Sequence, residues 1–304
     1  MPKKSRMIKK QLRVVEKRIA LPYRAFLLAC AGVLIGYSIV SFIASRDEQR
    51  MIPFQGYRDT KQKIIPDNPA SVSAILKTPI LMYHYVEYVK DKNDTIRQSL
   101  NILPPVLEKQ IQTFQNDGYT FLTMDELGRL FQEKDVLPEK RIVFTFDDGY
   151  KDFYTDVFPI LQKYHVKATV YVISGSLGTL NYMTEKDVKE VAASGLVEIG
   201  AHTVHHMNLK GKSRKELEKE IMGSKTALET FIGMPVVSFC YPYGAYDEEA
   251  KAVVHDSGYT SATITPVSKS RYYDEWSIDR IRPGNFFGKP LLRYIEEQVH
   301  KRST

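Results

Sequence analysis

The sequence predicts an α/β fold built on a parallel sheet, and three observations carry that expectation. Short apolar runs alternate with helical segments from residue 79 to the C-terminus. The runs are continuously apolar, as strands covered on both faces require. Three polar clusters, Asp147-Asp148-Gly149, His202-Thr203-Val204-His205-His206 and Tyr241-Pro242-Tyr243-Gly244, fall directly after such runs. In a closed barrel or an open doubly wound sheet alike, chemistry collects beyond the C-terminal ends of the strands.

Ile80 to Tyr83 reads as the first buried strand. After Pro104-Pro105, Leu107, Ile111 and Phe114 recur at helical spacing, and Asp117-Gly118 ends that helix. Arg141 to Phe146 predicts a strand, followed by one helix from Phe153 to Tyr164. Ala168 to Ile173 predicts a strand, Glu185 to Ala193 a helix capped by Thr184, and Val197 to Ala201 a strand. Ser213-Arg214-Lys215-Glu216 is a capping box opening a helix that runs to Phe231. Val237 to Tyr241 predicts a strand, Glu248 to His255 a helix, Tyr259 to Thr263 a strand, and Ile278 to Ile281 the last strand.

The charge lies elsewhere. Residues 1–24 hold nine Lys and Arg against the single acid Glu16, a net +8 that exceeds the +7 of the whole chain. The remainder is close to neutral, which removes the electrostatic case for a nucleic-acid partner. Ala25 to Ala44 is an uncharged apolar run of twenty residues, and at 1.5 Å per residue it spans about 30 Å, the thickness of a bilayer core. Dense positive charge before it places the N-terminus in the cytoplasm and everything from residue 46 outside. The expected organisation is a basic cytoplasmic segment (1–24), a single-pass membrane anchor (25–45), an extracellular stalk (46–78, with Pro53, Pro66 and Pro69) and a catalytic domain (79–304). A cleaved signal peptide and the lipoprotein-like box Leu27-Leu28-Ala29-Cys30 are the competing readings. With two cysteines, Cys30 and Cys240, no disulfide framework or cysteine zinc site is expected.

Each polar cluster is weak alone: Asp-Asp-Gly is commonly a turn and Pro-Tyr-Gly a loop. Together they account for one another. Two imidazoles and one carboxylate form a three-ligand site that leaves a position open for water, and a second carboxylate can act as its general base.

These residues resemble the polysaccharide deacetylases of carbohydrate esterase family four, the NodB homology domain, over residues 79 to 285. Thr145-Phe146-Asp147-Asp148-Gly149 is similar to that family's first motif, His202-Thr203-Val204-His205-His206 to its His-Ser/Thr-x-x-His motif, and Tyr241-Pro242-Tyr243-Gly244 to its third. The resemblance implies a distorted (β/α) barrel, a divalent ion (zinc first, with cobalt or nickel as alternatives) and hydrolysis of acetyl groups on a glycan. It implies Asp147 as general base, Asp148, His202 and His206 as metal ligands, and the backbone N–H of Tyr243 as an oxyanion donor. His205 falls at the variable position and reads as a bystander, while Thr203 is expected to orient the histidine loop.

Two departures matter. Cys240 stands where the family's third motif has an arginine, and Arg280 is the candidate substitute, with a barrel-end salt bridge as the competing reading. The family's late Leu-x-His is not visible, and His300 sits in a charged, helix-like tail. His84, in Leu81-Met82-Tyr83-His84, is the candidate acid or substrate contact; this run resembles the subgroup that deacetylates β-1,6-linked poly-N-acetylglucosamine. Tyr272-Tyr273-Asp274-Glu275-Trp276 loosely resembles an Asp-x-Trp motif, with Trp276 read as either core or a sugar platform. The implied partner is an N-acetylglucosamine polysaccharide, with a polysaccharide synthase or export complex alongside at the membrane. Peptidoglycan N-acetylglucosamine, an O-acetylated xylan-type glycan, and a catalytically dead glycan-binding protein are the alternatives.

Overall fold

The computed structural model describes residues 77–133, 138–265 and 274–303. The basic segment, the expected anchor and the stalk up to residue 76 lie outside the described residues. Among the described residues, no helix is long and apolar enough to cross a membrane. Thr78, assigned to the stalk, is instead buried and accepts a hydrogen bond from Arg141 Nε at 2.7 Å, so it belongs to the domain.

In chain order the strands are β1 (Ile80–Tyr83), β2 (Tyr85–Val86), β3 (Asn101–Ile102), β4 (Thr120–Leu122), β5 (Arg141–Phe146), β6 (Ala168–Val172), β7 (Val197–Ala201), β8 (Ser238–Cys240) and β9 (Ser261–Thr263). The helices are α1 (Thr95–Leu100), α2 (Pro104–Asn116), α3 (Met124–Glu133), α4 (Phe158–Tyr164), α5 (Glu185–Ala193), α6 (Arg214–Ile232), α7 (Glu248–Asp256) and α8 (Gly288–Ser303). A seven-stranded parallel sheet runs β1-β5-β6-β7-β8-β9, with β4 beside the first half of β5; β2 and β3 form a separate pair. The predicted α/β class with parallel strands is observed.

The expected last strand, Ile278 to Ile281, is not a strand. Ile278 bridges Thr263 on one sheet edge and Ile281 bridges Leu81 on the other. Each residue pairs with a different neighbour, so no ladder forms, yet four backbone hydrogen bonds of 2.8–2.9 Å join the two edges through this segment. The expected helix from Phe153 to Tyr164 also divides. Phe153–Val157 forms a π-helical turn, closed by Phe158 N–H to Phe153 O, before α4 begins. Pro159, in the first turn of α4, has no N–H to continue the preceding ladder.

The alternation of side chains along each strand separates two cores. Leu81, Phe144, Phe146, Val170, Val172, Ile199 and Phe239 face outward into the main core with the helices. Ile80, Val143, Tyr171, Cys240 and Ile278 form a second cluster with Leu122, Met124 and Leu127. The β4–α3 unit closes the N-terminal end of the strands. Met124 N–H donates to Thr169 Oγ1 at 3.0 Å and Asp125 N–H to Glu198 Oε2 at 2.8 Å, so a carboxylate satisfies the open N-terminus of α3. Gly200 admits the buried Tyr171 ring: a Cβ there would stand 2.5 Å from Tyr171 Cδ1. With the lower end filled, the opposite strand ends are left for the polar clusters.

Candidate active site

Three strand ends deliver the site. After β5, Asp147 N–H donates to Tyr83 O at 2.9 Å and the chain turns through Asp148 (φ 74°) and Gly149 (φ 75°). After β7, His202 N–H donates to Val172 O at 3.0 Å, followed by Thr203 (φ 64°) and His206 (φ 53°). After β8 comes Tyr243 (φ 60°). Among the described residues six non-glycine residues have positive φ, and these loops hold four of them. Each such residue costs about 1–3 kcal/mol, strain that persists where the surroundings over-determine the backbone and that clusters at functional sites.

Asp148, His202 and His206 converge. Asp148 Oδ1 lies 3.4 Å from the Nε2 atoms of both histidines, and this buried oxygen has no aligned hydrogen-bond donor. The tautomer of His202 follows from its other nitrogen. Nδ1 lies 2.7 Å from Cys240 O, a carbonyl that can only accept, so Nδ1 carries a proton and the neutral ring presents its Nε2 lone pair to Asp148. A lone pair and a carboxylate oxygen at that separation repel unless a proton or a cation lies between them. Burial opposes protonation of His202, but Cys240 and Asp148 outweigh it and raise its pKa well above the usual histidine value. His206 is pushed down, by burial and then by His202. One proton therefore cannot serve both rings, whereas a divalent cation can, and the orphaned Asp148 oxygen fits such an ion. His206 is oriented by Tyr243, whose hydroxyl lies 3.0 Å from Nδ1.

Asp147 has a different environment. Arg280 Nη1 and Nη2 donate to its two oxygens at 2.6 and 2.7 Å, with both side chains buried. Arg280 also donates to Thr145 Oγ1 at 2.9 Å and Ile264 O at 3.2 Å, and its Nη2 lies 3.2 Å from Cys240 Sγ. Burial alone would raise the Asp147 carboxyl; Arg280 overrides it and holds the group well below the usual carboxylate range. Asp147, His202 and Cys240 also lie within 4.8 Å of one another, but that set is unsuited to a cation. Asp147 is already neutralised by a guanidinium, and Nδ1 of His202 is committed to the Cys240 carbonyl.

His84 completes the mouth. Its Nε2 stands 3.8 Å from Asp147 Oδ2, and its pKa is lowered, chiefly by burial, with Asp147 and Asp148 opposing. The structure thus brings together Asp147, Asp148, His202, His206, Tyr243, Arg280 and His84. Arg280 is not a solvated barrel-end bridge. Thr203 acts through its backbone, since its buried hydroxyl has no hydrogen-bond partner. His205 turns away to Glu220, a residue that no sequence motif flags. Trp276 is half-buried: it packs against the main core, donates to Tyr259 O and lies edge-on to His255 of α7. His300 is exposed on α8.

A parallel α/β scaffold with carboxylates and imidazoles converging at its strand ends defines a hydrolase-type centre, and sequence comparison specifies the class. The family profile described as polysaccharide deacetylase matches residues 134–262. YxkH of Bacillus subtilis, assigned to the polysaccharide deacetylases, is 32% identical over 241 residues, covering 78% of this chain and 81% of that protein. A poly-β-1,6-N-acetyl-D-glucosamine N-deacetylase of Staphylococcus epidermidis is 27% identical over 235 residues, covering 70% and 81%. The Streptococcus pyogenes deacetylase PplD, solved in complex with acetate, superposes with a TM-score of 0.65 at 29% identity, covering 72% of this chain and 97% of that one. The chain belongs to the polysaccharide deacetylase family, with a NodB-type domain.

Proposed function

We propose that the chain is a divalent-metal-dependent N-deacetylase of an extracellular N-acetylglucosamine polymer, with poly-β-1,6-N-acetylglucosamine as its substrate. One observation carries the metal dependence: the buried Asp148 Oδ1, which has no aligned hydrogen-bond donor, lies 3.4 Å from the Nε2 atoms of both His202 and His206. Asp148, His202 and His206 would hold the ion. Zinc suits this donor set, and cobalt or nickel would be accepted by the same three ligands. When bound, the ion would acidify water and polarise the acetyl carbonyl.

The remaining steps fall to the chain's own residues. Asp147 takes the proton of the attacking water, with Arg280 keeping it ionised and fixed in orientation. The Tyr243 N–H, presented by a left-handed backbone, donates to the oxyanion. His84, whose Nε2 stands 3.8 Å from Asp147 Oδ2, passes the proton that Asp147 took from water on to the departing amine. The β-1,6 linkage is supported by the S. epidermidis relative and by the run Leu81-Met82-Tyr83-His84, which sets His84 on Asp147. The basic segment and apolar run of the N-terminus support a single-pass anchor in the cell membrane, a domain outside the cell and a synthase or export complex as neighbour; protease accessibility of the domain on intact cells tests that topology.

The decisive experiment measures acetate release from defined β-1,6 and β-1,4 N-acetylglucosamine oligomers and from peptidoglycan, with and without a chelator. Release from the β-1,6 oligomers, abolished by chelation and restored by zinc, is expected. Release from β-1,4 polymers alone overturns the linkage, and release that survives metal removal overturns the mechanism.

A further inference from the structure

The histidine loop carries two ligands and two left-handed residues, so it needs an anchor that neither ligand supplies. Glu220 of α6 provides one. Its side chain is 2% exposed, and among the described residues no Lys or Arg pairs with it. Oε2 accepts the N–H groups of Val204 at 3.1 Å and His205 at 2.9 Å, and Oε1 lies 2.7 Å from His205 Nδ1. The opposite side of the loop is held as well: Ser174 N–H donates to Thr203 O at 3.2 Å and Gly175 N–H to Val204 O at 2.9 Å. A Cβ at Gly175 would approach Val204 O to 2.5 Å, so the loop is packed without slack.

A buried carboxylate is costly unless its contacts compensate, and among the described residues the hydrogen bonds of this side chain all go to the segment between His202 and His206. Thr203 cannot substitute, because its hydroxyl bonds nothing. We infer that Glu220 is a positioning residue for the metal site. It clamps residues 204 and 205 so that the flanking histidines keep their Nε2 atoms on Asp148, and His205 serves as the partner of its second oxygen. The inference rests on the proposed metal-binding role of Asp148, His202 and His206.

The test titrates the metal-free full-length chain with Co²⁺, reading affinity and the visible d–d spectrum, with far-UV circular dichroism as the folding control. Wild type must bind; if it does not, the metal reading itself fails, and the anchor question with it. Glu220→Ala should weaken Co²⁺ binding at least 10-fold and alter the spectrum, in line with the 10–100-fold effects of residues that orient metal ligands. Glu220→Gln keeps a carbonyl oxygen for both N–H groups and should stay within about 3-fold of wild type. Should Glu220→Ala not fold, Glu220→Asp decides, because it keeps the charge but withdraws the acceptor by one methylene; a loss comparable to that expected of alanine is predicted. A folded Glu220→Ala or Glu220→Asp with wild-type affinity and spectrum overturns the inference, leaving the metal site itself standing.

Discussion

Replacing Arg280 by Met isolates the pair that balances the charge of Asp147. The guanidinium donates to both carboxylate oxygens at 2.6 and 2.7 Å in a buried setting, so its loss strands a carboxylate inside the protein. Removing one partner of a buried pair costs about 3–5 kcal/mol. Thr145 Oγ1 and Ile264 O also lose a donor, and their loss together adds roughly 1 kcal/mol. Met conserves much of the volume, which keeps the cavity contribution small. The expected loss at neutral pH is about 4–6 kcal/mol, a large part of the ~5–15 kcal/mol that holds a typical domain. The pH dependence should also invert. In the wild type the folded Asp147 pKa is depressed, so its contribution is present above the unfolded value and is lost as pH falls through the folded one. Without Arg280, burial dominates, the folded pKa rises, and stability improves as pH falls. Urea unfolding of the metal-free protein, followed by the single tryptophan, Trp276, and by far-UV circular dichroism, measures both effects. Adding Asp147→Asn removes the stranded charge, so the double variant should be more stable than Arg280→Met alone. A cost below about 1 kcal/mol, or a double variant no more stable than the single one, refutes the reasoning.

His202→Ala and His206→Ala should each lower bound metal and activity together, whereas Asp147→Asn should abolish turnover and retain the ion; metal analysis beside acetate release separates these outcomes. Asp152 accepts from Val86 N–H at 2.6 Å, and burial pushes its carboxyl up from 3.8 to about 6. The native state therefore holds an extra proton, and stability should fall by about 3 kcal/mol as pH rises through that window. Asp152→Asn should flatten this slope in melting profiles, and an unchanged slope sinks the assignment. Gly200→Ala drives a Cβ against the Tyr171 ring and should cost about 1–3 kcal/mol by overpacking, visible as a lowered Tm with β-sheet content retained.

What the sequence makes legible, and what it hides, follows from where each signal resides. Helices α5 and α6 are readable at their first residues because Thr184 with Asp187, and Ser213 with Glu216, carry both halves of a capping box within four residues. Strands β5, β6 and β7 are readable because both faces are covered, and each ligand cluster sits at a strand end for the same reason. The β4–α3 unit escapes notice: β4 buries only Phe121 and Leu122, and α3 plugs the strand ends instead of lying along a sheet face. Glu220 is invisible because it meets the loop through backbone N–H groups, which carry no residue identity.

Arg280 lies between these cases. Sequence supplies a basic residue type and an apparent strand, but sheet closure decides the contact. Ile278 is tied to Thr263 and Ile281 to Leu81, so the intervening Arg280 spans the gap between sheet edges and enters the buried interior toward Asp147, 133 residues away. Cys240 makes room for it. The thiol stands 3.2 Å from Nη2. Arginines at both positions would crowd two guanidinium groups onto one carboxylate with no second anion to share them. The thiol at 240 thus leaves the space that the Arg280 guanidinium fills, and Asp147 stays neutralised although Tyr241-Pro242-Tyr243-Gly244 brings no cation of its own.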